Sequence, residues 1–241
     1  MTNKAIIICS GGLDSVTTAN YAKKILGYEE IIIMFFDYGQ RTVKQERYFS
    51  KKCSKNLKAK FIEVRLDELK KWSTSLINKR SKVKKLRIID LKNSKEESNK
   101  YYVPCRNTIF LTYALALAES KIIKEKEVFD VLVGFKSEGS ESYPDTTKNF
   151  VKKINELRKE ATLVKGKIKA PLIDKDKEDI IVLANKMGVR LEDTYSCYAG
   201  AKNYQHCGVC LSCRLRQEGF YWANTPDPTR YAHKLKDSRK I

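Results

Sequence analysis

The sequence predicts an α/β fold: a mostly parallel sheet with helices on both faces, followed by a small cysteine-bearing region at the C-terminal end. Three observations predict it. Apolar runs of strand length alternate with stretches of helical spacing along most of the chain, the order that builds parallel sheets from strand–helix–strand units. The runs IIIMFF and VFDVLVGF are almost unbroken in apolar residues, as strands buried on both faces must be. Four cysteines gather between 197 and 213, in a tail too short to build a core of its own.

The elements follow in order. The first strand, 5–9 (AIIIC), stops at two glycines, and helical spacing resumes over 16–26. The second strand, 30–37, is the run IIIMFF closed by Asp37-Tyr38-Gly39; a helix is expected over 42–57. The third, 60–66 (KFIEVRL), precedes a break. A helix over 108–123 leads to the fourth strand, 128–135, which ends near Gly134. A helix over 146–162, a fifth strand over 168–172 and a helix over 177–187 complete the pattern. Residues 1–190 are read as one α/β domain and 191–241 as the appended region. The break at about 70–100 is polar, charged and weakly periodic; a connection this long inside a compact domain is usually functional or disordered, and a mobile cover over the site is expected.

Composition narrows the function classes. A hydrophobic fraction of 42% in 241 residues supports a real core and excludes global disorder. No apolar stretch approaches the roughly 18 residues of a membrane span. The opening MTNKAIIICSGG lacks a small-residue cleavage site, so it reads as a core strand, and a cytoplasmic protein is expected. The seven cysteines are then ligands or ordinary buried thiols rather than disulfides. The formal charge is +19, and residues 51–100 alone carry 17 Lys/Arg against 6 Asp/Glu. Most of the basic side chains are lysines, which give solubility and nonspecific attraction without a base-reading fork. A solvated lysine surface is the expected meaning, with nucleic-acid binding the alternative.

The chemistry is carried first by Ser10-Gly11-Gly12-Leu13-Asp14-Ser15, which closes the first strand and opens the first helix. Glycines let the backbone approach a ligand, and a helix start offers unpaired N–H groups and a positive dipole end to an anion. Ser10 and Ser15 add hydroxyls. No GK[ST] follows, so this is not a Walker A loop, and it is not GxGxxG. Only two histidines are present, which makes imidazole acid–base chemistry improbable. The second motif is Cys197, Cys207, Cys210 and Cys213, spaced C-x9-C-x2-C-x2-C. Four thiolates at this spacing can close a structural zinc site. Iron–sulfur ligation and free thiols are the alternatives, and His206 is a substitute ligand. Cys9 and Cys53 read as small core residues, and Cys105, in YVPCRNT, lies near the expected site.

The hexapeptide SGGLDS resembles that of the PP-loop ATP pyrophosphatases. Further blocks, in order, resemble the 7-cyano-7-deazaguanine synthase (QueC) family of that superfamily: FFDYGQR, YVPCRNTIFLTYALALAE, SYPDTTKNF, APLIDKDKEDIIVLANKMGV, TYSCYAG and CGVCLSCRLR. The resemblance implies a Rossmann-like, adenine nucleotide alpha hydrolase-like sheet and ATP-dependent chemistry. The carboxylate of 7-carboxy-7-deazaguanine would be adenylated, and free ammonia would displace AMP to give the amide. A second activation would dehydrate the amide to the nitrile, in queuosine or archaeosine biosynthesis. ATP, Mg²⁺ and Zn²⁺ are the implied cofactors, nucleic acid is not required, and a homodimer is expected. A PP-loop enzyme adenylating a tRNA base directly is the alternative.

Carried over by position, Ser10, Gly11, Gly12, Asp14 and Ser15 would hold the ATP phosphates, with Leu13, Thr17 and Gly134 in the same nucleotide-binding set. Asp14 would help hold Mg²⁺. Tyr38, Gly39 and Gln40 would lie near the adenosine. Arg106 would act at the phosphates, so that Asp14, Ser15 and Arg106 are the candidate catalytic residues. Asn107, Tyr143 and Asp145 would meet the substrate, Asp145 reading the guanine-like N–H edge; its other reading is the N-cap of the helix that follows. For Arg106 the other reading is a surface ion pair. Where the family usually has GYPDCRxEF and VPGRN, this chain has SYPDTTKNF and Cys105; Thr42 stands for a His after GQR, and the nearby glutamate comes one place late, at Glu46.

Overall fold

Five parallel strands form one sheet: β1 (Lys4–Ile8), β2 (Glu30–Asp37), β3 (Lys60–Arg65), β4 (Asp130–Leu132) and β5 (Ile168–Lys169). Their spatial order is β3-β2-β1-β4-β5, with Ile6 opposite both Ile32 and Val131. The structure is a computed structural model and describes residues 2–79, 81–93, 95–136 and 143–233. Arg80 and Ser94 of the basic stretch, Ser142 at the head of SYPDTTKNF, and the extreme C-terminus lie outside the described residues.

Eight α-helices accompany the sheet among the described residues: α1 (Leu13–Lys24), α2 (Val43–Asn56), α3 (Asp67–Trp72), α4 (Lys95–Asn99), α5 (Arg106–Glu125), α6 (Lys148–Ala161), α7 (Lys177–Lys186) and α8 (Leu211–Trp222). The unbroken apolar strands are explained by the period of two. Ile6, Ile32 and Met34 join Phe110, Leu111 and Ala114 of α5 in one core. Ala5, Ile7, Ile31 and Ile33 join Leu13, Val16 and Ala19 of α1 and Ile180, Ile181 and Ala184 of α7 in the other. Each fully buried isoleucine contributes about 1.5–3 kcal/mol, so both faces of β1 and β2 hold the fold.

The expected strands and helices are all present, with shifted ends. The fourth and fifth strands are shorter than expected. Gly134 leaves the ladder because its α-carbon packs against the start of α1, where a Cβ would lie 2.9 Å from the Ser15 nitrogen. β5 stops before Pro171, which has no N–H to give a ladder. The stretch at about 70–100, expected as a mobile cover, takes in the end of α3 and the whole of α4, and Ile77 and Leu86 within it are buried. It is tied down at both ends of its span: the Arg41 N–H donates to the Ile77 carbonyl (2.8 Å), and the Leu86 N–H to the Val209 carbonyl (2.8 Å). Among the described residues no helix is long and apolar enough to cross a membrane.

This topology positions the site. The chain runs from β1 outward through β2 and β3, then returns to the other side of β1 for β4 and β5. The crevice at the carboxyl ends of β1 and β4, where the winding reverses, is where open α/β sheets bind ligands.

Candidate active site and metal centre

The turn after β1 is shaped by backbone packing. Gly11 has φ +78°, and a Cβ there would sit 2.7 Å from the Ser50 nitrogen and 2.8 Å from the Glu46 carbonyl, so only glycine lets α2 close on the turn. The Gly11 carbonyl accepts the Tyr195 N–H at 2.8 Å. Gly12 is the N-cap of α1 and brings no side chain to its first N–H groups, which leaves them for a ligand. The Ser10 and Ser15 hydroxyl oxygens lie 3.5 Å apart, and Ser15 donates to the Gly12 carbonyl at 3.1 Å. Gly134 closes the turn from below by the contact already described.

Above this turn lies a cavity of about 270 Å³. Of the residues selected from the sequence, Ser10, Gly12, Leu13, Asp14, Ser15 and Gly134 line it at the glycine turn, and Tyr38, Arg106, Asn107 and Tyr143 line it elsewhere. Leu13 also sends its side chain into the core. Five selected residues are not in its wall. Gly39, at φ +72°, packs against the Lys70 side chain. Gly11 faces α2, and Thr17 is fully buried beneath α1. Gln40 is buried behind Tyr38, accepting the Tyr38 N–H (2.9 Å) and donating to the Phe36 carbonyl (2.9 Å). Asp145 is buried, and its Oδ2 accepts the Asn107 N–H at 3.1 Å. The N-cap reading of Asp145 does not hold, for the N-cap of α6 is Thr147, whose hydroxyl accepts the Phe150 N–H at 3.1 Å. Asp145 instead anchors the start of α5, where a carboxylate complements the helix dipole.

The charges at the wall are paired across long stretches of sequence. Both oxygens of Asp14 lie 2.7 Å from the Lys177 ammonium, which enters from the first residue of α7. Nothing in DKDKED singles that lysine out, although a capping box at Asp176 and Asp179 fixes the helix start just before it and so aims it. Lys136 also lines the cavity. Arg106 opens α5, with its guanidinium 5.9 Å above the Tyr38 ring. Burial works against its charge, but Tyr38, Tyr198 and Asp145 more than offset this and hold its pKa above the usual value. Burial pushes the Tyr38 phenol up to about 12, so it stays a neutral donor. Asn107 and Tyr143 have their polar atoms engaged: the Asn107 amide donates to the Asp145 carbonyl (3.3 Å), and the Tyr143 hydroxyl to the Ser98 carbonyl (2.7 Å).

The four cysteines of the tail converge. The sulfurs of Cys197, Cys207, Cys210 and Cys213 all lie within 4.8 Å of one another, and all four residues are buried. The Cys197–Cys210 and Cys207–Cys213 separations are both 3.9 Å; a tetrahedron of Zn–S bonds of 2.3 Å has edges of about 3.8 Å. The N–H groups of Gly200 and Cys207 point at the Cys197 sulfur, and those of Val209 and Cys210 at the Cys207 sulfur, at 3.2–3.4 Å. Such bonds favour thiolates, so the donor set fits a metal ion. His206 is not a competing ligand: its Nε2 accepts the Ser196 N–H at 3.0 Å. The cluster adjoins the cavity, which Ser196, Cys197 and Tyr198 help to wall. Cys9 and Cys53 are buried, whereas Cys105 is exposed and stands at φ +54° before α5.

The chain is similar to known proteins over nearly its whole length. A 7-cyano-7-deazaguanine synthase of Methanosphaera stadtmanae is 37% identical over 235 residues, covering 96% of this chain and 99% of that protein. Enzymes of the same name from Methanocaldococcus jannaschii and Campylobacter hominis are 36% and 40% identical, each covering 95% of this chain and 99% of theirs. Residues 4–224 match the family described as Queuosine biosynthesis protein QueC, a span that contains both the glycine turn and all four cysteines, and the chain belongs to that family.

Proposed function

We propose that this protein is an ATP-dependent carbon–nitrogen ligase that converts 7-carboxy-7-deazaguanine and ammonia to 7-cyano-7-deazaguanine. The observation that carries the reading is the uncapped start of α1 behind a rigid glycine turn, opening onto a cavity that holds a lysine–aspartate pair and an arginine. That set suits a polyphosphate. The curated relatives carry the same synthase name over nearly their whole length, and none of these matches favours direct modification of a tRNA base.

In this reading a substrate carboxylate oxygen attacks the α-phosphorus of ATP, and the bond to pyrophosphate breaks. The N–H groups of α1, Ser10 and Ser15 receive the departing diphosphate, and Lys177 and Arg106 neutralise charge that builds on the phosphates. Ammonia then attacks the acyl-adenylate carbon, AMP leaves, and a proton is lost to give the amide. The amide oxygen then attacks the α-phosphorus of a second ATP and pyrophosphate leaves; departure of AMP and of the remaining N–H protons gives the nitrile. The work is positioning and charge neutralisation, with no need for imidazole. Asp14 would help hold Mg²⁺, which supplies charge compensation for the triphosphate, with Lys177 sharing itself between Asp14 and phosphate. The four cysteines would hold Zn²⁺ with no open position, a structural role. A cytoplasmic location and a homodimer belong to the same proposal; light scattering of the purified protein tests the dimer.

The deciding experiment is incubation with Mg-ATP, ammonium and 7-carboxy-7-deazaguanine, followed by mass spectrometry. A nitrile product with AMP and pyrophosphate is expected. Intact substrate with unconsumed ATP would refute the assignment.

A further inference from the structure

We infer that Glu46 is the carboxylate that reads the guanine-like edge of the substrate, receiving its ring N1–H and 2-amino group; this rests on the function proposed above. Among the described residues in the cavity wall, the carboxylates are Asp14 and Glu46. Asp14 sits in the phosphate turn with both oxygens on Lys177. Asp145, which the sequence suggested for this task, is outside the wall and holds α5. That leaves Glu46 to meet paired N–H donors.

Its setting is built for orientation. Glu46 lies in the first turns of α2, where its Oε1 accepts the Thr42 hydroxyl at 2.7 Å and its Oε2 the Gln40 amide at 3.1 Å. Thr42 is the N-cap of α2 but makes no side-chain cap bond; its hydroxyl goes to Glu46 instead. Gln40 is itself locked to the end of β2 through Tyr38 and Phe36. Each oxygen therefore has one described donor, and a carboxylate accepts about four hydrogen bonds, so both oxygens keep acceptor capacity. Burial pushes the Glu46 carboxyl up, opposed by Thr42, Gln40 and the Arg106 charge; two further N–H donors would act with these and against burial. Phe36 and Phe110, stacked on each other at 4.0 Å, make part of the same wall apolar, which suits a fused ring. A guanine-like edge presents two adjacent donors to two carboxylate oxygens. An adenine edge presents one amino donor between acceptors, a poorer match.

The test is calorimetric titration of the zinc-loaded full-length protein with 7-carboxy-7-deazaguanine, with its analogue lacking the 2-amino group, and with a non-hydrolysable ATP analogue. The wild type should prefer the amino-bearing acid by about 10- to 100-fold, the worth of one or two charge-assisted hydrogen bonds. Glu46→Gln, which keeps the size, should lose that preference and leave the nucleotide Kd within about twofold. Thr42→Val, which loosens Glu46 without removing it, should show a smaller loss. Several results would overturn the assignment: a wild type that binds the acid without preference, a preference kept by both variants, a loss confined to the nucleotide, or a loss produced by Asp145→Asn rather than by Glu46→Gln. A wild type that binds neither acid would remove the proposed function itself.

Discussion

Substituting Gly134 by alanine tests whether the phosphate turn is a rigid cradle. The added Cβ would lie 2.9 Å from the Ser15 nitrogen and 3.0 Å from both the Asp14 carbonyl carbon and the Ser15 α-carbon. Ordinary contact begins at 3.4 Å, so the first turn of α1 must retreat by about 0.5 Å, and every obstructing atom is backbone. Overpacking of this kind costs about 1–3 kcal/mol, which for a chain of this length lowers Tm by roughly 2–4 °C per kcal/mol. The larger effect should be kinetic. The atoms displaced are the helix-start N–H groups proposed to hold pyrophosphate, and misplacement by about 1 Å can cost roughly 10²-fold. Half that displacement predicts about a tenfold loss in kcat. Differential scanning calorimetry and release of labelled pyrophosphate measure the two effects. A variant with wild-type Tm and wild-type turnover would show that the turn yields freely and is not a preorganised site.

Other consequences follow from single contacts. Lys177→Met should strip Asp14 of its partner and lower turnover by about 10²-fold or more while leaving the fold intact, as circular dichroism and a pyrophosphate-release assay would show; unchanged turnover would remove Lys177 from the phosphate site. Asp14→Ala should abolish turnover with the fold retained, and a collapsed structure would contradict that assignment. Asp145→Ala leaves the Asn107 N–H at the start of α5 without its acceptor, which should cost about 1–3 kcal/mol in urea denaturation; an unaltered midpoint would refute its role as an anchor. Cys210→Ser should release bound zinc, measured by plasma mass spectrometry, and full retention of metal would mean the ligand set is wrong.

Much of this was legible in the sequence because it depends on local pattern. The strands buried on both faces announce themselves in IIIMFF, and the glycine pair before Asp14 marks the turn without any knowledge of what packs around it. The cysteine spacing likewise suffices for a four-thiol cluster. What the sequence hid depends on long-range packing. The Asp14–Lys177 pair joins residues 163 positions apart, and a lysine among many in a chain of charge +19 carries no mark. Asp145 reads as a cap of the helix that follows it because the partner it has, the Asn107 backbone, lies 38 residues away in another helix. The 70–100 stretch reads as loop because Ile77 and Leu86 anchor it one residue at a time, without the periodicity that reveals an amphipathic helix.

The same contacts explain why the four-cysteine cluster stands beside the proposed nucleotide cavity. A Walker A loop carries its own lysine, whereas the turn at 10–15 has none and must receive one from elsewhere. Lys177 arrives from α7, and its stem passes over Gly219 of α8, where a Cβ would lie 2.4 Å from the Lys177 Cγ. α8 begins directly after Cys210 and contains Cys213. From the same helix Arg216, buried, donates to the Leu191 carbonyl and to the Thr194 and Ser196 hydroxyls. Those bonds fix the strand of chain whose Tyr195 N–H holds the Gly11 carbonyl. The tail thus sets both the glycine turn and the lysine above it, yet it is too short to fold on apolar burial alone. The proposed four-thiolate zinc site would contribute on the order of 10 kcal/mol at one point, enough to hold α8 in place without any metal touching substrate. Stripping the metal should therefore weaken nucleotide binding even though four thiolates leave the ion no open position, because the loss travels through Gly219 to Lys177 and through Tyr195 to Gly11.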